Sequence, residues 1–297
     1  MNPRQTGLVI AAFKRQYLVS LPDGRRITCL TRGKNSVALC GDRVEIQCTG
    51  ESAKDGSDAQ GIIERILPRH SLLHRSDAFR EKFIAANVTQ IIIVVAAEPP
   101  FSDELLARCL IAACEQQLAT LIVLNKCDLA ARADSARAIL KPYRDIGCRI
   151  LELSAKQDVS PLRRYLDGQH SILVGQSGMG KSTLINALLP DVRAATREIS
   201  SALNSGKHTT THAKLYPLDD RSSLIDCPGV QAFGLHHLSI GEIEQGFSEF
   251  SPYLGQCRFR DCHHLHEPGC ALQAAVASGA INARRLELFH KISAHKA

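Results

Sequence analysis

The chain has 297 residues, 44% of them hydrophobic and 22% charged, with a formal net charge of +6 at pH 7. That length allows two or three domains and at least one sizeable core, and the composition is that of a soluble globular protein. The longest apolar run, Ile91 to Ala97, has the length of a buried strand, and Met1-Asn2-Pro3-Arg4-Gln5-Thr6 lacks the apolar core of a signal peptide, so no membrane segment is expected.

A cytoplasmic protein follows from these exclusions. Of the 11 cysteines, Cys29, Cys40, Cys48, Cys109, Cys114, Cys127, Cys148 and Cys227 stand singly, as reduced thiols do, whereas Cys257, Cys262 and Cys270 cluster. The positive charge fits an anionic partner larger than a nucleotide, and equally a solvated surface.

From Gly7 to about Leu67 short strand-like runs, among them Leu8-Val9-Ile10, Tyr17-Leu18-Val19, Arg26 to Leu30 and Asp42 to Gln47, alternate with turn segments such as Pro22-Asp23-Gly24. This reads as a small OB-like β-barrel over residues 1–73. Lys14, Arg15, Arg25, Arg26, Arg32, Lys34 and Arg43 make it basic, while Phe13 and Tyr17 are its only Phe or Tyr residues. Backbone or shape recognition of folded RNA suits that surface better than base stacking, and a plain packing domain is the alternative.

A polar link, His74-Arg75-Ser76-Asp77, opens an α/β unit expected over 74–235. Gln90 to Ala96 reads as a buried parallel strand, Asp103 to Gln117 as an amphipathic helix capped near Ser102, and Ala119 to Leu124 as a second strand. A helix from about Ala131 to Leu140 should stop near Pro142. A strand from Arg149 to Leu153 and a short helix from Pro161 to Leu166 follow. His170 to Val174 is a strand that runs into Gly175-Gln176-Ser177-Gly178-Met179-Gly180-Lys181-Ser182-Thr183, after which Ser182 to Leu189 has helical spacing and ends at Pro190.

That last stretch satisfies G-x-x-x-x-G-K-[ST] in its strand, loop, helix context. Its glycines let backbone N–H groups converge on phosphates, Lys181 is placed to reach the β- and γ-phosphates, and the Ser182 hydroxyl is a magnesium ligand. Asn125-Lys126-Cys127-Asp128, at the end of a strand, matches the N-K-x-D pattern in which the carboxylate reads guanine N1–H and the exocyclic amine. Ser154-Ala155-Lys156 matches its S-A-K companion. Together the three motifs select GTP.

Asp191 to His212 has the polar, aperiodic character of a switch loop and ends in Gly206-Lys207-His208-Thr209-Thr210-Thr211. Thr210 is the threonine expected to reach magnesium and the γ-phosphate. After strands at Ala213 to Tyr216 and Ser223 to Ile225 comes Asp226-Cys227-Pro228-Gly229, the D-x-x-G pattern, with Asp226 holding magnesium through water and Gly229 N–H sensing the γ-phosphate. Val230 follows, where an apolar side chain cannot orient water. His208 is the candidate for that task, with a solvated loop histidine as the alternative. Because N-K-x-D and S-A-K precede the phosphate loop, the G domain is circularly permuted.

Beyond it, Cys257, Cys262, His264 and Cys270 form C-x4-C-x-H-x5-C, a Cys₃His set suited to structural zinc, with His263 and His266 competing for the histidine role. The metal would anchor a small helical domain over 236–297, with helices at Ile240 to Phe250, Ala271 to Ala277 and Ile281 to Ile292.

With these motifs assembled, the chain resembles the bacterial ribosome small-subunit-dependent GTPase A family over nearly its whole length. In the family pattern the histidine after C-x4-C corresponds to His264. The motifs themselves predict a magnesium-dependent GTPase with one structural zinc per chain, taken to be a monomer, and the resemblance adds a cellular role. It implies binding to the 30S subunit near the decoding region of 16S rRNA, action in late 30S maturation, stimulation of hydrolysis by 30S, and release coupled to hydrolysis. A nucleotide-gated RNA-binding module acting off the ribosome and a zinc-delivery GTPase are the competing readings.

Overall fold

The computed structural model describes residues 4–13, 16–32, 37–49, 60–76, 81–189, 213–227 and 234–294. Five strands open the chain: β1 (Gln5–Phe13), β2 (Gln16–Ser20), β3 (Arg26–Thr31), β4 (Arg43–Cys48) and β5 (Gln60–Ile66). They pair in the order β1-β2-β3-β5-β4, and β4 pairs back onto β1, which closes a barrel. Closure leaves no open edge in this small unit. Alternate residues turn inward, so Val9, Val19, Ile27, Val44 and Ile46 form a core of their own, each essentially fully buried.

The expected polar link at His74 to Asp77 is instead largely strand. β6 (Leu72–Ser76) and β7 (Glu81–Ala86) form a two-stranded antiparallel sheet. Leu73, Ile84 and Ala85 are buried and joined to the main core, and the polar composition of the first strand hid its strand character.

The main sheet continues through β8 (Gln90–Ala96), β9 (Ala119–Asn125), β10 (Ile150–Glu152), β11 (His170–Val174), β12 (Lys214–Pro217) and β13 (Ser223–Asp226). Their order is β10-β9-β8-β11-β13-β12, parallel except for β12, and β12 pairs with β1 so that the barrel and this sheet are hydrogen-bonded together. Every residue of β8 is buried, as a central parallel strand covered on both faces requires. Helices α1 (Asp103–Glu115), α2 (Ala130–Asp145), α3 (Ser160–Leu166) and α4 (Lys181–Leu188) connect the strands. Ser102 caps α1, its hydroxyl accepting from Leu105 N–H at 3.2 Å. Helix α2 does not stop near Pro142 but carries it inside its last turn, where Leu140 and Tyr143 are both buried. Burial of those two side chains outweighs the one backbone hydrogen bond that proline removes.

The C-terminal helices are α5 (Ile240–Gln245), α6 (Ala271–Ala277) and α7 (Ala283–Ala294). The single helix expected from Ile240 to Phe250 is split at Gly246, followed by a 3₁₀ turn over Ser248–Phe250. Gly246 lies so close to α1 that a Cβ there would meet Ile111 Cγ1 at 2.7 Å and its Cα at 3.0 Å. Phe247, Phe250 and Phe289 pack with ring centroids 4.9 to 5.8 Å apart. Among the described residues no helix is long and apolar enough to cross a membrane.

Candidate nucleotide site and metal cluster

Open parallel sheets bind ligands beyond the carboxyl ends of their strands, and the motifs converge there. Asn125 ends β9, Ser154 follows β10, Gly175 follows β11 and Asp226 ends β13. Most of the described motif residues line one cleft of about 530 Å³, namely Asn125, Lys126, Asp128, Ser154, Ala155 and Lys156 of the base motifs and Ser177, Gly178, Gly180, Lys181, Ser182 and Thr183 of the phosphate loop, whereas Gly175, Gln176, Met179 and Asp226 are not part of its lining. Cys127 points elsewhere. Its thiol donates to Leu124 O at 3.2 Å and is pushed up by burial.

Asn125 joins the motifs. Its Nδ2 donates to Met179 O at 2.9 Å, and its Oδ1 accepts from Lys126 N–H at 2.8 Å and Ala155 N–H at 2.9 Å. One buried amide thus ties N-K-x-D, S-A-K and the phosphate loop together. The approach is tight enough to demand glycine at 180, where φ is +92° and a Cβ would lie 2.3 Å from Asn125 Nδ2. Gly175 is constrained in the same way, its missing Cβ falling 2.3 Å from Val94 O.

Lys126, itself at φ +63°, runs its amine between Glu98 O at 2.7 Å and Gly178 O at 2.8 Å. Lys181 Nζ sits over the loop, donating to Gly175 O at 2.5 Å and Gln176 O at 2.8 Å. Burial lowers the pKa of Lys181, and the Asp226 carboxylate opposes that shift. The exposed Asp128 carboxylate is held below its usual range, first by the Ser154 hydroxyl and further by Lys156 and Lys126, so it is an anion facing the cleft. Gln176 Oε1 accepts from Ser102 N–H at 2.6 Å, which anchors the phosphate loop to the first turn of α1. That bond, like the Glu98 contact, joins residues far apart in the chain and had no sequence signal.

In the C-terminal unit Cys257, Cys262, His264 and Cys270 bring their ligand atoms within 4.8 Å of one another. His264 Nδ1 lies 3.5, 3.6 and 3.3 Å from the sulfurs of Cys257, Cys262 and Cys270. A zinc with Zn–S of about 2.3 Å and Zn–N of about 2.05 Å has a tetrahedral N···S edge of roughly 3.5 Å, so the four donors fit such an ion. His263 and His266 are exposed and outside the cluster. Backbone N–H groups support the sulfurs: Ala271 donates to Cys257 at 3.3 Å and Gln273 to Cys270 at 3.5 Å. Glu267 collects the N–H groups of His263, Leu265 and His266, and its own loop backbone with these bonds lowers its pKa to about 2.

The RsgA GTPase family matches residues 66–236. The small ribosomal subunit biogenesis GTPase RsgA of Nitrosospira multiformis is 53% identical over 293 residues, covering 99% of this chain and 91% of that protein. The chain belongs to the RsgA GTPase family. Among solved structures, YjeQ from Thermotoga maritima superposes with a TM-score of 0.73 at 30% identity, covering 99% of both chains. YloQ, described as a circularly permuted GTPase, gives 0.70 at 26% identity over 99% of this chain and 95% of that one. This RsgA-family chain is accordingly a GTP hydrolase with a circularly permuted G domain. The expected switch residues His208 and Thr210, and Gly229 of D-x-x-G, lie outside the described residues.

Proposed function

We propose that the protein is a magnesium-dependent GTPase that binds the 30S subunit and 16S rRNA and acts late in small-subunit maturation. The observation that carries the nucleotide reading is the Asn125 hub, which holds a guanine-type carboxylate and a phosphate loop across one cleft. The names of the relatives support the ribosomal partner. Residues 1–73 form the RNA-binding OB-like barrel, 74–235 the G domain and 236–297 the zinc-binding unit, in a cytoplasmic monomer.

In this reading the Asp128 carboxylate accepts from the guanine N1–H and amine, with the Lys126 stem against the base and the Ala155 segment at O6. Residues Gly175 to Thr183 wrap the phosphates with backbone N–H groups, and Lys181 exchanges its loop carbonyls for phosphate oxygens. Magnesium, held by Ser182, Thr210 and Asp226, would neutralise charge developing on the phosphates. His208 positions the attacking water, and Gly229 N–H reports the γ-phosphate. The Cys257, Cys262, His264 and Cys270 set holds one structural zinc. Contact with 30S stimulates hydrolysis, and hydrolysis releases the protein.

The test is GTP turnover with and without purified 30S subunits, with Lys181→Ala as the blank. Stimulation by 30S and not by free RNA is the expected result. Equal turnover in both conditions rejects the ribosomal reading, and His208→Ala with unchanged stimulated turnover rejects the role given to that histidine.

A further inference from the structure

The far side of the His264 ring is also occupied. Its Nε2 lies 3.2 Å from Glu244 Oε1, and the two side chains are 6% and 19% exposed. We propose that Glu244 is the positioning residue of the metal centre, fixing the His264 tautomer so that Nδ1 presents its lone pair to the ion. This rests on the zinc reading above.

A neutral imidazole carries one N–H and one lone pair, and the hydrogen bond made by one nitrogen decides what the other can do. An ionised carboxylate only accepts. With Glu244 at Nε2, the proton belongs on Nε2, and Nδ1, which faces three sulfurs at 3.3 to 3.6 Å, is left free to ligate. The remaining freedom of His264 is already restricted. Its backbone sits at φ +62°, its carbonyl accepts from Gln273 Nε2 and His290 Nε2 at 2.8 Å each, and Phe289 packs edge-on at 6.1 Å. Rotation of the ring about its side-chain bonds is what those contacts leave, and the Glu244 carboxylate 3.2 Å from Nε2 opposes it.

The carboxylate comes from a helix seated against the GTPase unit. Helix α5 begins with a capping box between Ser239 and Glu242 and ends at Gly246 in close contact with Ile111, while Cys114 Sγ donates to Gln245 O at 3.7 Å. Glu244 therefore links metal affinity to the seating of α5 on α1. A sequence reading that stops at the four ligands does not reach it.

The test measures zinc affinity of the full chain by competition with a chromogenic chelator, for the parent, Glu244→Ala and Glu244→Gln, with nucleotide affinity as the folding control. Glu244→Ala should weaken zinc binding roughly 10- to 100-fold, and Glu244→Gln, whose carbonyl still accepts from Nε2–H, should recover most of that loss. Equal affinity in all three overturns the proposal, and failure of Gln to rescue overturns the hydrogen-bond account. Should the alanine variant not fold, Glu244→Met, which keeps the side-chain bulk and removes the acceptor, takes its place: zinc affinity reduced as for alanine supports the assignment, and affinity equal to that of the parent overturns it. A parent chain that binds no zinc sinks the metal reading together with this one, whereas loss of the Glu244 effect alone leaves the metal reading standing.

Discussion

The nucleotide cleft and the C-terminal end solve the problem of holding a site in different ways. The cleft is built on strand ends of a sheet whose central strand is wholly buried, and its loops are tied by backbone groups bonded to one asparagine. The C-terminal end has short helices, a small phenylalanine cluster and a turn-rich segment carrying the four ligands. Its attachment to the rest combines burial in the same apolar core as the sheet, through Ile243, Phe247 and Phe289, with the ion pairs of Arg284 with Asp103 at 2.7 Å and Lys291 with Glu104 at 2.9 Å, while inside it Arg285 and Glu249 form a buried pair at 2.5 Å. The Arg285 guanidinium is sandwiched between the Tyr143 and Phe247 rings, 4.6 Å from each centroid, and Tyr143 in turn donates to Asp103. The sheet supplies rigidity by burying apolar strands, whereas the C-terminal end adds to its share of the common core a buried ion pair and a Cys/His cluster that could hold a metal, so single substitutions should affect the two differently.

The largest separation is expected from Glu249→Ala. It leaves the Arg285 charge buried without its partner, a loss of about 3–5 kcal/mol, which denaturant unfolding should register while nucleotide affinity changes little. Lys181→Ala should do the reverse. Turnover falls on the order of 10²- to 10³-fold, as when one transition-state donor is removed, with a melting temperature near that of the parent. A Lys181→Ala protein that unfolds instead would show that the cleft depends on its lysine as the C-terminal end depends on Arg285.

Asn125→Ala sharpens the comparison because it acts on both properties at once. It orphans Met179 O and the N–H groups of Lys126 and Ala155, and each buried group left unsatisfied costs about 1–3 kcal/mol; stability and GDP affinity should decline together in calorimetry. The smallest effect belongs to Arg284→Ala. Its ion pair with Asp103 is partly exposed, so a loss of about 0.2–1 kcal/mol is expected, diminishing further as salt is raised. A loss several times larger would mean that this contact is a main support of the attachment.

Read alone, the amino-acid order determined the nucleotide motifs, their permuted sequence, the zinc-type ligand pattern and most strands of the α/β unit. Those features are local: a phosphate loop, an N-K-x-D tetrapeptide and a run such as Gln90 to Ala96 each carry their chemistry or periodicity within a few residues. The hairpin of β6 and β7 escaped because Leu73 sits in a strand otherwise rich in His, Arg and Ser, and the need for glycine at 246 escaped because the residue it meets, Ile111, lies on another helix. The tertiary structure alone decided what faces the second nitrogen of His264, the anchoring of Gln176 at Ser102 and the burial of Arg285 between two rings. Each of these depends on distances between segments remote in the chain, and side-chain direction at such crossings is set by packing rather than by any local propensity.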